Sequence, residues 1–166
     1  DRGGSIIGVL GTYEDITDLK HAEEALRENE EKYRTLVESS FDGIAIHQEG
    51  ILVYVNRTAA HILGADDPER FIGKSAIDIV APAYRELIAK RVREAPESMQ
   101  ELIHEQFLRL DGTPIDVDVT TKPSMWKGRP AAYVTFRDIT AQLRAEEALR
   151  ESSRKYAELF ELGSEA

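Results

Sequence analysis

Apolar and polar positions along the chain follow two periods. Near each end they recur in steps of three and four, and in the stretch between they mostly alternate. Leu19, Ala22, Leu26, Asn29, Tyr33 and Leu36 fall on one stripe of a helix spanning 18–40, and Gln142, Ala145, Leu149, Ser152, Tyr156 and Leu159 do the same from 141 onward. This is the a/d seam of a coiled coil, in which each helix buries its stripe against a partner. Asn29 and Ser152 place polar groups in that seam, at a cost in stability and a gain in register. Thr17 or Asp18 in the first helix, and Thr140 in the second, accept the free N–H groups of the helix start. The first helix would be ~35 Å long. Its stripe is too thin to sustain a lone helix, so it calls for a partner, either its twin in a dimer or the face of its own sheet.

Between the two helices, 43–48 and 51–56 read as strands joined at the turn Glu49-Gly50. A helical tract over 57–63 stops at Gly64, which suits a left-handed cap. Asp66-Asp67-Pro68 is turn chemistry, and 71–80 reads as short irregular helix. Tyr84, Leu87, Ile88 and Val92 share one stripe of a further helix that Pro96 ends. Three strands follow over 102–110, 115–121 and 131–137, linked through Asp111-Gly112-Thr113-Pro114 and Trp126-Lys127-Gly128. Ile115, Val117 and Val119 alternate with Asp116, Asp118 and Thr120, as in a half-buried strand. The fold class is therefore α+β: a five-stranded antiparallel sheet with short helices on one side, flanked by N- and C-terminal amphipathic, coiled-coil helices.

The chain also repeats itself. Asp15-Ile16-Thr17, Ala22-Glu23-Glu24-Ala25-Leu26-Arg27-Glu28 and Lys32-Tyr33 return with every position advanced by 123, as Asp138-Ile139-Thr140, Ala145-Glu146-Glu147-Ala148-Leu149-Arg150-Glu151 and Lys155-Tyr156. Apolar, strand-like residues precede each copy, at 6–13 and at 132–136. The repeating unit is strand, Asp-Ile-Thr, helix. On this reading 1–17 is the last strand of a preceding domain, 18–40 a linker helix, 41–140 the central domain and 141–166 the helix leading to a following one.

Composition narrows the function. Hydrophobic residues at 42% and charged residues at 31% fit a globular chain, and a net charge of −10 disfavours nucleic acid and direct contact with an anionic membrane. With no cysteine there is no disulfide, thiolate nucleophile or thiolate metal site. No apolar run approaches the roughly 20 residues of a membrane span, and the first residues lack a signal-peptide core, so the expected location is cytoplasmic. His47, His61 and His104 are scattered without metal-ligand spacing. No Ser/His/Asp set or phosphate loop stands out, so the segment itself is not expected to be an enzyme.

Asn56, Ala59-Ala60 and Gly64 after the second strand, the Asp111-Gly112 hairpin, and Asp138-Ile139-Thr140 opening a helix together resemble the PAS sensory family over roughly 31–140. The resemblance implies a sheet as palm and short helices as fingers around a pocket, with Ile44, Ile46, Ile62, Ile79, Ile88, Val92, Phe107, Val117, Val119, Val134 and Phe136 facing inward. The same residues would equally make a plain core. Arg109 joins the candidates, and facing inward it would favour a carboxylate ligand. Whether Gln106 and Leu108 or Phe107 and Arg109 face inward is open, because a one-residue slip exchanges them.

The resemblance disfavours two cofactors. Covalent flavin needs a cysteine, and haem needs a histidine on the helix at 84–94, which has none. A noncovalent flavin, a small organic ligand or no ligand at all stays open, and no metal is expected. His21 lacks the flanking motif of a histidine-kinase phosphoacceptor. Asp15, Ile16 and Thr17, and again Asp138, Ile139 and Thr140, are implied to tie a last strand to a signalling helix. The family thus implies a relay module of a prokaryotic two-component or related signalling protein. It would form a homodimer through seam residues Leu19, Ala22, Leu26, Tyr33, Leu36, Ala145, Leu149 and Tyr156, between an adjacent PAS domain and an output domain of the same chain. The alternative is a ligand-free dimerisation module.

Overall fold

The structure, a computed structural model, describes residues 17–94 and 102–164, with side chains over 17–90 and 102–160. Asp15, Ile16, the strand-like run 6–13 and Pro96 lie outside the described residues. The chain divides between Leu36 and Val37 into two units. The first, where described, is helix α1 (Thr17–Glu38) up to Leu36, and α1 buries none of its residues.

The second unit carries β1 (Gly43–Gln48), β2 (Ile51–Val55), α2 (Arg57–Ile62), α3 (Pro82–Glu94), β3 (Ile103–Leu108), β4 (Pro114–Trp126), β5 (Arg129–Asp138) and α4 (Thr140–Ser164), with 3-10 turns at Pro68–Arg70 and Ala76–Ile79. The five strands form one antiparallel sheet in the order β2-β1-β5-β4-β3. The last strand in sequence is thus the central one, bonded on both sides.

Local chemistry explains most of the element boundaries. The β1–β2 and β4–β5 hairpins each turn on a residue pair with positive φ, Glu49-Gly50 and Lys127-Gly128, which matches the twist of the flanking strands. Asn56 caps α2: its Oδ1 accepts the Ala59 and Ile44 N–H groups at 2.8 and 2.9 Å, and its Nδ2 donates to the Val37 and Asp42 carbonyls at 3.0 and 3.2 Å. One fully buried amide therefore fastens the end of α1, β1 and α2 together, with all its bonding capacity used. After α2, Gly64 takes φ +82, the left-handed position that frees the chain to turn.

The strand β4 runs further than its alternation suggests, through Lys122, Pro123 and Ser124 to Trp126. Proline would be expected to end it. Among the described residues, however, β3 pairs with β4 only as far as Val119, and beyond it the described pairing of β4 is with β5, so that Pro123, opposite Ala132, has no described β3 partner that needs its missing N–H.

One face of the sheet meets α2, α3 and the 3-10 turns. Ala45, Leu52, Val55, Phe107, Ile115, Val117, Val119 and Phe136 from the strands join Ala59, Ala60, Leu63, Phe71 and Val80 in a continuous apolar core. Phe107 and Phe136 meet edge to face at 5.1 Å.

Candidate functional site

Between the sheet and the segment from Ser75 to Ala89 lies a cavity of about 870 Å³. That is within the usual range for small-molecule sites. Strand alternation decides what it sees. The register pairs Ala45 with Val134 and His47 with Ala132 across β1 and β5, and Val119 with Phe136 across β4 and β5. The cavity lining accordingly takes Ala45 and His47 from β1, Ala132, Val134 and Phe136 from β5, Val119, Thr121 and Pro123 from β4, and Ile103, Glu105 and Phe107 from β3. Ile77, Ile79, Val80 and Ile88 close the helical side.

The residues expected in a pocket divide accordingly. Ile79, Ile88, Phe107, Val119, Val134 and Phe136 lie on the lining. Val117 and Ile62 belong to the packed core but not to the cavity wall. Ile44 and Ile46 correct the expectation: they are buried on the opposite face of β1, where Ile46 pairs with Tyr54 and Tyr133. The side chain of Val92 lies outside the described residues. Arg109 is absent from the lining and instead reaches Asp138. The choice left open at β3 is also settled: Phe107 faces inward with Glu105, while Gln106 donates to Asp116 on the other face at 2.9 Å.

Two buried polar residues of the wall escaped the sequence reading as pocket candidates. His47 and Glu105 are both buried and both line the cavity. Withdrawal from water pushes the His47 imidazole below its ordinary pKa, favouring the neutral ring. The symmetry of the β3–β4 hairpin carried a usable signal for Glu105. Its five-residue loop pairs Glu105 with Val117, whose inward face the alternation of β4 already indicated. The other candidate histidines are elsewhere: His61 is exposed, and His104 sits on the far face beside Asp116 and Asp118. Among the described residues no group of His, Asp and Glu is arranged to hold a metal ion.

A second arrangement lies where β5 ends. Asp138 Oδ1 accepts the Thr140 N–H at 2.9 Å, and Asp138 Oδ2 takes an ion pair from Arg109 at 3.2 Å. Thr140 Oγ1 accepts the Asp116 N–H at 2.9 Å, and the Ile139 N–H donates to the Asp116 carbonyl at 2.9 Å. Ile139 is buried, and its carbonyl receives the Leu143 N–H in the first turn of α4. The helix start is thus fixed to β4, β5 and the β3–β4 loop together. In the first copy of the motif, Thr17 is the first residue of α1.

The helical stripes are open in the single chain. Leu19, Ala22, Leu26, Tyr33 and Leu36 of α1 are exposed, as are Ala145, Leu149 and Tyr156 of α4, with Leu26 at 60% and Leu149 at 69%. Among the described residues no helix is long and apolar enough to cross a membrane.

Sheet order, finger helices, cavity and exit helix define the class of fold, and comparison with known proteins gives the family. The pattern of the PAS fold matches residues 31–139, and the chain belongs to this family. Over 130 residues, 78% of the chain, it is 28% identical to sporulation kinase A of Bacillus subtilis (strain 168). Over 113 residues, 68% of the chain, it is 31% identical to the two-component sensor PprA of Pseudomonas aeruginosa. The chain spans only 22% and 12% of those relatives' lengths. Among solved structures, the PAS domain of an HTR-like protein from Haloarcula marismortui superposes with a TM-score of 0.65 at 22% identity, covering 72% of this chain and 99% of that one. A PAS domain from Colwellia psychrerythraea gives 0.57 at 19% identity, covering 67% and 97%. The segment is therefore a PAS sensory domain related to those of sensor kinases.

Proposed function

We propose that this chain is the sensing and relay segment of a multidomain two-component signalling protein, in which a change at the cavity or in a neighbouring domain passes through β5 into α4 and onward to an output domain. The observation that carries this reading is the junction at Asp138-Ile139-Thr140. The strand β5 contributes Val134 and Phe136 to the cavity and runs directly into it. A shift of β5 by a fraction of an ångström therefore reaches the first turn of α4 through bonds, with no flexible loop between. Names of relatives such as sporulation kinase A and two-component sensor PprA support an output domain of kinase type.

The relay is a population shift. Two copies pair through the α1 and α4 stripes in either of two packings, and cavity occupancy favours one by binding it more tightly. The exposed leucines and tyrosines at a/d spacing suit such pairing.

Two measurements test this. Charge in the stripe (Leu26→Glu with Leu149→Glu) should convert a dimer to monomer in light scattering, and an unchanged dimer would place the interface on the sheet. Inserting one to seven residues after Arg150 in the full-length parent should make output rise and fall with a period of about seven as the seam rotates out of and back into register. An output that falls steadily with insertion length would sink the helical relay.

A further inference from the structure

The sheet face turned away from the cavity carries a chain of contacts of its own. There Ile46 of β1 lies between Tyr54 of β2 and Tyr133 of β5, and Tyr133 pairs with Lys122 of β4. Trp126, at the end of β4, reaches Tyr54 across this face, with ring centroids 5.6 Å apart and planes tilted by 36°. The Tyr54 hydroxyl donates in turn to Oε1 of Glu38 at 2.8 Å. Oε2 of the same carboxylate accepts the Arg57 N–H, the first of α2, at 2.9 Å. Val37 and Glu38 are the last residues of α1 and belong to the second unit. One carboxylate thus joins the end of α1 to β2 and α2, and one aromatic contact carries the connection on to the β4–β5 hairpin.

That hairpin has two sides. Trp126 stands on one, and from the other Thr121, Pro123, Met125, Arg129 and Ala132 contribute to the cavity wall. Gln48 fastens its tip to the end of β1, donating to the carbonyls of Trp126, Arg129 and Pro130 at 3.2 to 3.4 Å. The bonds at the end of α1 differ in how readily they open. Asn56 holds the Val37 carbonyl at 3.0 Å from a fully buried position, where a lost bond is costly. Glu38 and Tyr54 are half-buried and Arg57 is exposed, so water takes over each bond when the carboxylate leaves. Val37 is therefore suited to be a pivot and Glu38 a clasp that releases. The repeat keeps the clasp residue: Glu161 stands in the place of Glu38, although Val37 and Ser39 become Phe160 and Leu162.

We propose that Glu38 is a latch through which α1 acts on the cavity. With the carboxylate engaged, Tyr54 is held against Trp126 and the hairpin keeps one position. When a turn or pull of α1 withdraws it, Tyr54 and Trp126 loosen together and the hairpin side of the cavity relaxes. The element with two states, which any such coupling requires, is the last turn of α1, engaged or released. This deepens the relay argued above, on which it rests for the direction of the signal. It gives a neighbouring domain a way in through Glu38, as Asp138-Ile139-Thr140 gives a way out.

The test reads both ends of the contact chain in the whole chain. Trp126 is its single tryptophan, so fluorescence reports on the hairpin alone. Tyr54→Phe removes the hydroxyl and keeps the ring. Amide exchange at residues 34–38 should then rise about tenfold, the worth of one hydrogen bond to a charged group. Exchange at 124–131 should rise about threefold, the aromatic contact being the weaker link. Trp126 emission should move to the red, with stronger quenching by iodide. Glu38→Gln, which leaves both rings in place, should give the same pattern. Coupling acts equally in both directions, so Trp126→Leu should also speed exchange at 34–38, and Tyr54→Phe added to it should no longer affect the hairpin. Faster exchange confined to 34–38, with unmoved Trp126 emission, would overturn the latch and leave Glu38 a local cap. Loss of the folded circular dichroism spectrum in both Tyr54→Phe and Glu38→Gln would overturn it as well, because the clasp would then support the fold itself. The insertion series after Arg150 reads output instead, so the relay through α4 and the latch at Glu38 fail separately.

Discussion

At the scale of single residues, the cavity depends on small side chains as much as on large ones. A Cβ placed on Gly43 would lie 2.6 Å from Cε2 and Cζ of Phe136, a ring that is buried, touches Phe107 and forms part of the cavity wall. Gly43→Ala should therefore force that ring toward the cavity and cost about 1–3 kcal/mol as overpacking. Urea denaturation measures the loss, and an unchanged midpoint would show that Phe136 has room to retreat. The same crowding explains why the inward positions of β1 are Gly43, Ala45 and His47, not the bulkier Ile44 and Ile46. Hydrophobicity alone selects the isoleucines. Because β1 from Gly43 to His47 is buried on both faces, its apolar pattern contains no information about which face meets the helices.

At the scale of elements, the decisive contact is the join between β5 and α4. Thr140 accepts a hydrogen bond from Asp116 through a hydroxyl that alanine lacks. Thr140→Ala should leave the half-buried Asp116 N–H unmatched and loosen the first helical turn, at about 1 kcal/mol. Hydrogen exchange should speed up at residues 140–144 while the β1–β5 amides keep their protection. Uniform acceleration throughout the sheet would mean that the junction supports the whole fold and is not a local coupling. The hairpin between β3 and β4 shows how element geometry sets residue chemistry. A turn built on Asp111-Gly112 is plain in the sequence, but the loop closes over five residues, with the Arg109 N–H donating to the Thr113 carbonyl at 2.9 Å. A loop with an even number of residues would have reversed the parity, placing Gln106 in the cavity and Glu105 outside.

At the scale of the whole molecule, the buried histidine links stability to pH. Its pKa in the folded chain lies below the ordinary 6.5, because burial disfavours the imidazolium. As pH falls, the unfolded chain takes up this proton first. The contribution of His47 is therefore neutral well above 6.5, and stability declines as pH falls through 6.5 toward the folded value. His47→Gln should remove that component, giving a flatter dependence of unfolding free energy between about pH 7 and pH 5 than the parent chain. Identical slopes in the two proteins would show that His47 is protonated as readily in the fold as outside it.

The order of elements, the α+β class, the turn residues and the glycine that stops α2, and the recurrence of Asp-Ile-Thr before a helix were legible in the sequence alone, because each is a matter of local periodicity or of one residue's backbone preference; the capping was not, since Thr140, expected to accept helix N–H groups, accepts the Asp116 N–H of β4 and leaves its own N–H to Asp138. The face that each buried strand turns toward the helices, the passage of β4 through Pro123, and the presence of His47 and Glu105 on the cavity wall were decided only in three dimensions. They depend on strand register and on which strands lie side by side. Those are properties of pairs of segments distant in the chain, and neither segment carries them by itself.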